Sequence, residues 1–132
     1  MASELPDELN GEWEVIECHV GGVANESNVG SKIIICDGFI RDIRMPEWPV
    51  YSYEVDDTLS PSRMKWQLVG FESSGVMKRL PMAVPSASGI YELGDDELRF
   101  CWSHPGHPFP ETFCSSQDPD CHFYIYRRTK VK

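Results

Sequence analysis

Apolar and polar residues alternate with a period of two along most of this chain, in short runs separated by turn residues. In the first run, Gly11 to Val20, Trp13 and Val15 share one face while Ile16, Cys18 and Val20 share the other. A strand changes its apolar face midway through a bulge or a strong bend, so one is expected here. An isoleucine-rich run at 32–36 predicts a second strand. Asp37-Gly38 is a two-residue hairpin signal, and residues 39–44 form the return strand. Pro46 and Pro49 interrupt the pattern around Trp48. Tyr51, Tyr53 and Val55 then alternate with Ser52 and Glu54 in a fourth strand, and Met64, Trp66 and Leu68 alternate with Lys65 and Gln67 in a fifth. Residues 70–85, with Gly75, Pro81 and Pro85, are expected to be irregular. Residues 86–93 and 97–102 predict a hairpin turned by Gly94-Asp95-Asp96, with Leu98, Phe100 and Trp102 on one face and Arg99 and Cys101 on the other. A long loop at 103–120 leads to a last strand at 121–128. A short helical turn at 6–10 precedes the first strand, with a proline start and acidic first residues.

No stretch sustains a helical period. Strands recur at roughly 10-residue spacing with turn chemistry between them, the signature of an antiparallel sandwich or barrel. Each strand pairs most simply with the next, which favours up-and-down connection. Eight strands close a small barrel with little spare interior. The expected fold is an all-β antiparallel up-and-down barrel of about eight strands, a single domain over 1–132 with its core at about 9–128.

Charge narrows the partners. Twelve Lys and Arg against 21 Asp and Glu give a net charge of −9, which repels phosphate backbones and anionic lipid. The basic residues Arg127, Arg128, Lys130 and Lys132 read as a solvated tail, so neither nucleic acid nor a membrane surface is expected as partner. No apolar run reaches the length of a membrane span, and residues 1–10 lack the apolar segment of a signal peptide; a cytoplasmic location is the expectation. The five cysteines are Cys18, Cys36, Cys101, Cys114 and Cys121. An odd count without a leader favours thiols serving as small buried hydrophobes, with one or two disulfides if the protein is exported.

Candidate chemistry is sparse. His104 and His107, with Cys101, Cys114, Cys121 and His122, are a local gathering of metal-ligand types. Zinc would need four of them in a tetrahedron. There is no Cys-X-X-Cys pair, and Pro105-Gly106 breaks the His-X-X-His spacing, so the bland reading of a proline-rich loop is preferred and His104 and His107 stay weak metal candidates. Cys114-Ser115-Ser116 has no activating partner in view. The carboxylates Asp56, Asp57, Asp95, Asp96 and Glu97 fall in turns, where Asp caps the backbone. Phosphate-binding glycine loops are absent. Neither enzymatic activity nor a cofactor is expected.

Several stretches together carry a resemblance. They are Leu9-Asn10-Gly11-Glu12-Trp13-Glu14-Val15, the hairpin Gly89-Ile90-Tyr91-Glu92-Leu93 with Leu98-Arg99-Phe100-Cys101, and the loop Pro105-Gly106-His107-Pro108-Phe109-Pro110-Glu111-Thr112-Phe113. From about Leu9 to Arg128 the chain resembles a lipocalin-like (calycin) domain family that is expanded in planctomycetes and has no established activity. Residues 71–85, the insertion at 115–120 and the His104/His107 pair depart from that pattern. The resemblance implies a lipocalin-like barrel. It also implies a structural role for Trp13, which would close the barrel base beneath a basic residue of the last strand, Arg127 or Arg128, in a cation–π contact.

The remaining feature is aromatic content. Tyr51, Tyr53, Met64, Trp66, Leu68, Tyr91, Phe100 and Trp102 are the candidate cavity residues, with Phe123, Tyr124 and Tyr126 on the last strand. They would either hold a small, mostly apolar molecule in the barrel or fill its interior. The first outcome makes a non-enzymatic binding protein. The second makes a closed-core module that contacts a protein partner through its proline-rich loops.

Overall fold

The computed structural model describes residues 7–43, 47–104, 106, 109–113, 115 and 120–131. They form one antiparallel sheet of nine strands: β1 (Gly11–Val20), β2 (Val23–Ala24), β3 (Lys32–Cys36), β4 (Phe39–Asp42), β5 (Trp48–Asp56), β6 (Ser62–Ser73), β7 (Val76–Leu93), β8 (Glu97–Ser103) and β9 (His122–Val131). From β3 to β9 each strand pairs with its successor. β1 pairs with both β3 and β9, so eight strands close a barrel and the two-residue β2 hangs on β1. The fold is the up-and-down barrel that the alternation predicts, in the lipocalin-like form that the resemblance implies. Closure pairs the strand edges that an open sheet leaves exposed.

Local chemistry sets the path. The Asp37-Gly38 turn holds both residues at positive φ, 54° and 83°, and joins Cys36 directly to Phe39, the geometry of a tight two-residue hairpin. In β1 the register against β9 slips between Val15, opposite Tyr126, and Glu17, opposite Ile125. Ile16 is the extra residue. The bulge returns Cys18 to the side of Trp13 and Val15, and all three are buried in the same core.

Residues 70–85 are not irregular. β6 and β7 continue through them as an extended hairpin, turned at Ser74 and Gly75 with φ of 50° and 79°. Two prolines fit because pairing of β7 with β8 begins at Ser88, so along 76–87 the ladder to β6 is the one to satisfy. Pro85 sits at a register shift against Gln67, and Pro81 falls within the break between the Leu68–Val84 and Gly70–Arg79 pairs. Prolines are tolerated on such edges and bulges. In the same way the third predicted strand is shorter, ending at Asp42, and Arg44 lies outside the described residues.

Inward residues stack in layers from one end of the barrel to the other. Leu98, Phe100 and Trp102 on β8 face Tyr126, Tyr124 and His122 on β9 in register. Gly89 lies opposite Trp102, and a Cβ there would stand 2.1 Å from the Cys101 carbonyl oxygen. A glycine is what lets β7 and β8 approach at that point. Leu9, Trp13, Ile35, Ile40 and Phe100 have no exposed surface and, with Leu98 at 1%, form the centre of the core. Among the described residues no helix is long and apolar enough to cross a membrane.

Candidate functional site

The two barrel ends are built differently. At the base, the short helical turn Asp7–Leu9 delivers Leu9 into the interior. The Trp13 indole N–H donates to the Leu9 carbonyl at 2.9 Å. The guanidinium carbon of Arg128 lies 4.2 Å from the Trp13 ring centroid, and its two terminal nitrogens donate to the carbonyls of Asn10 and Glu8, each at 2.6 Å. The cation therefore covers the indole and ties the entering chain to β9 in one contact set. Arg127, the other basic candidate, is exposed and lies opposite Glu14 and Glu97 in the strand register.

At the other end the barrel opens on a cavity of about 390 Å³. Its apolar wall is Val15, Ile33, Tyr51, Trp66, Ala87, Trp102, Tyr124 and Tyr126, and its polar positions include Asn28, Ser31, Asp42, Ser86 and His104. The rings form a continuous run. Tyr51 meets Trp66 with centroids 5.4 Å apart, and Trp66 stacks on Phe100 at 5.3 Å. Phe100 stacks on Trp102 at 6.3 Å, and Trp102 lies 6.0 Å from Tyr124. Phe100 is fully buried and forms the floor of this run, while the two tryptophans above it are partly exposed. Asn28, from the short helical turn Glu26–Asn28, donates its side-chain amide to the Tyr124 hydroxyl at 3.1 Å and so orients that ring. The Trp66 indole N–H points to the Met64 sulfur at 2.9 Å. A thioether is a weak acceptor, so this donor is poorly satisfied.

At the rim, His122 lies flat on Trp102, with centroids 4.0 Å apart and planes 2° from parallel. His104 packs edge-on against both rings, at 5.5 Å from Trp102 and 5.4 Å from His122. Burial, then the charge of His104, hold the His122 pKa below the ordinary histidine value, with Asp120 acting weakly the other way. His122 Nδ1 is buried without a hydrogen-bond partner among the described residues, which also favours the neutral ring.

Three of the sequence candidates, Tyr51, Trp66 and Trp102, come together on the cavity wall. Tyr53, Met64, Tyr91 and Phe100 face the same interior one layer deeper and are buried in the core. Leu68 pairs with Tyr51 and Val84 beyond the wall and is absent from the lining. Of the histidines considered as weak metal candidates, His104 takes part in the aromatic rim, and His107 lies outside the described residues, as does Cys114. Among the described residues no three His, Cys, Asp or Glu side chains gather to hold a metal ion.

Sequence reasoning missed Asp42, Asn28 and Ser31. Asp42 carried a signal: it is in phase with the buried Ile40 on β4, so alternation places it inward. Asn28 and Ser31 come from a loop and carried none. Asp56, a turn carboxylate, accepts from the Thr58 backbone N–H at 3.0 Å, the capping role expected of it.

The chain matches no protein-family model, no curated protein and no solved structure.

Proposed function

We propose that this protein is a non-enzymatic binding protein that holds one small, mostly apolar molecule in the open end of its barrel. The observation that supports this reading is the cavity of about 390 Å³ walled by Tyr51, Trp66, Trp102 and Tyr124. That volume lies within the usual range of small-molecule sites, roughly 300–1,000 Å³. An apolar wall with a few polar groups suits an occupant that is flat or aromatic and carries one or two hydrogen-bonding atoms. The same reading takes the chain as a member of the lipocalin-like family expanded in planctomycetes. The Trp13–Arg128 closure supports that membership.

The alternative, an interaction module working through its proline-rich loop, has less support. Pro110 is buried, and Phe109 is held beneath the Arg63 guanidinium at 4.2 Å. Phe113 packs on Phe123 at 6.2 Å. The loop's anchoring groups are engaged with the barrel's own outer wall.

The test is a titration with the neutral apolar fluorophore N-phenyl-1-naphthylamine, followed by its own emission and by tryptophan quenching. One-to-one saturation, weakened about tenfold or more by Trp66→Ala, is the expected result. Absence of saturable binding, or binding indifferent to Trp66, overturns the reading.

A further inference from the structure

A second buried cluster lies on the outside of the barrel. Ile90, Cys101 and Cys121 form it, with Phe113 and Phe123 packed against them. Cys101 alternates away from Phe100 and Trp102 on β8 and so points outward. Its partner across the ladder is Phe123, and Cys121 stands two residues earlier, on the same outer face. The two sulfurs are 3.4 Å apart, with 0% and 1% of the residues exposed. Of the other described cysteines, Cys18 belongs to the main core and Cys36 sits at the β3–β4 hairpin.

We propose that Cys101 and Cys121 are a modification site: a dithiol that oxidises to an intramolecular disulfide and closes the β8–β9 connection into a covalent loop. Cys101 lies on β8 and Cys121 immediately precedes β9, so the two flank that connection on the same outer face. Their sulfurs, 3.4 Å apart, need to approach by about 1.4 Å to reach bonding distance. The connection is held to the barrel at several points: the Ser115 hydroxyl accepts from the Gly22 N–H at 2.8 Å, and Phe109 and Phe113 lie on the wall. The bridge would fix its two ends together, just beyond the His104 and His122 rim of the cavity.

The oxidant is a small-molecule disulfide such as oxidised glutathione. One cysteine thiolate attacks it, forming a mixed disulfide and releasing one glutathione thiolate. The second cysteine thiolate attacks the protein sulfur of that mixed disulfide and releases the other. Two protons pass to solvent, the cysteine pair loses two electrons, and the glutathione disulfide gains them. Burial shields the pair in the folded barrel, so the exchange takes place while the chain folds.

The experiment is refolding of reduced, denatured full-length protein in a glutathione redox buffer or in dithiothreitol, followed by alkylation, intact mass and peptide mapping. The expected product of the first arm lacks two hydrogens, has three alkylated cysteines, and yields one cross-linked peptide joining 101 to 121. It melts on the order of 5–10 °C above the reduced form. Cys101→Ala and Cys121→Ala each abolish the bridge, and Cys36→Ala leaves it intact. Five alkylated thiols in the wild-type chain, or a bridge to Cys18, Cys36 or Cys114, overturns the proposal. That result is read from the wild-type protein alone and does not depend on whether the variants fold.

Discussion

The two ends of this barrel use the same material and reach opposite outcomes. Each has a tryptophan at an inward position on a strand: Trp13 at the base, Trp66 and Trp102 at the mouth. Trp13 is fully buried, while the other two keep exposed surface around a cavity. Aromatic bulk does not explain the difference, since the mouth has more of it. What the base has is a lid. The chain entering β1 drops Leu9 into the interior, gives the Trp13 N–H a carbonyl, and is itself held by Arg128. At the mouth, the Trp66 N–H has a thioether. In this barrel the interior is filled at the end that the entering chain covers, and at the other end large side chains line a space.

Breaking the base should therefore cost the most. Trp13→Ala removes a fully buried indole together with its hydrogen bond and leaves Arg128 without the ring it covers. A loss of about 4 kcal/mol is expected in urea unfolding. A loss no greater than that of Trp66→Ala would erase the distinction between a sealed end and an open one.

Arg128→Met asks how much of that seal is the cation. Methionine keeps apolar cover over the indole and removes both donors, so the carbonyls of Glu8 and Asn10 lose their partners. The expected cost is about 2 kcal/mol. Arg127→Met, at an exposed position on the same strand, should stay within about 0.5 kcal/mol of wild type. Equal effects would mean that the contribution comes from general basicity of β9 rather than from the fit of one guanidinium over Trp13.

Much of this arrangement was legible in the residues, for reasons that also mark the limits. Period-two alternation places Leu98, Phe100 and Trp102 inside, and the change of face in β1 locates the bulge at Ile16. Two positive-φ residues at Asp37-Gly38 announce a tight turn. Ser74-Gly75 does the same work with a weaker signature, and Pro81 and Pro85 read as breakers because alternation cannot say whether a strand edge is paired on one side or both. Depth was likewise hidden. Trp66 and Met64 share a face, as do Tyr51 and Tyr53, yet one of each pair lines the cavity and the other is core. That choice follows from cross-strand register and tilt, which a single strand's sequence does not carry. Asn28, reaching in from a loop, has no periodic neighbour to reveal it.

Trp66→Ala sharpens the comparison from the open side. Its ring is partly exposed, so truncation enlarges a space that is already present and creates no sealed void. A stability loss of about 1 kcal/mol is expected, well below that of Trp13→Ala. Weakening of fluorophore binding should exceed that loss. Thermal melts of both variants beside the dye titration separate the two quantities.

The smallest expected effect lies at the rim, in the pH dependence set by His122. Its ring is stacked on Trp102, with one nitrogen buried and lacking a partner among the described residues, so the folded protein binds a proton there less readily than the unfolded chain. Above the ordinary histidine pKa of 6.5 both states are neutral and the residue contributes no pH slope. As pH falls below that value the unfolded chain takes up the proton first, so stability declines towards acid. His122→Phe keeps a flat ring against Trp102 and removes the titration. Melting temperatures at pH 8 and pH 5.5 should therefore fall less in the variant than in wild type, and by a modest margin, because the rim is half open to water and to the charges of His104 and Asp120. Among the described residues the sealed base has no corresponding histidine. Parallel pH profiles for the two proteins would mean that water solvates His122 fully and that the mouth is wetter than its stacked rings imply.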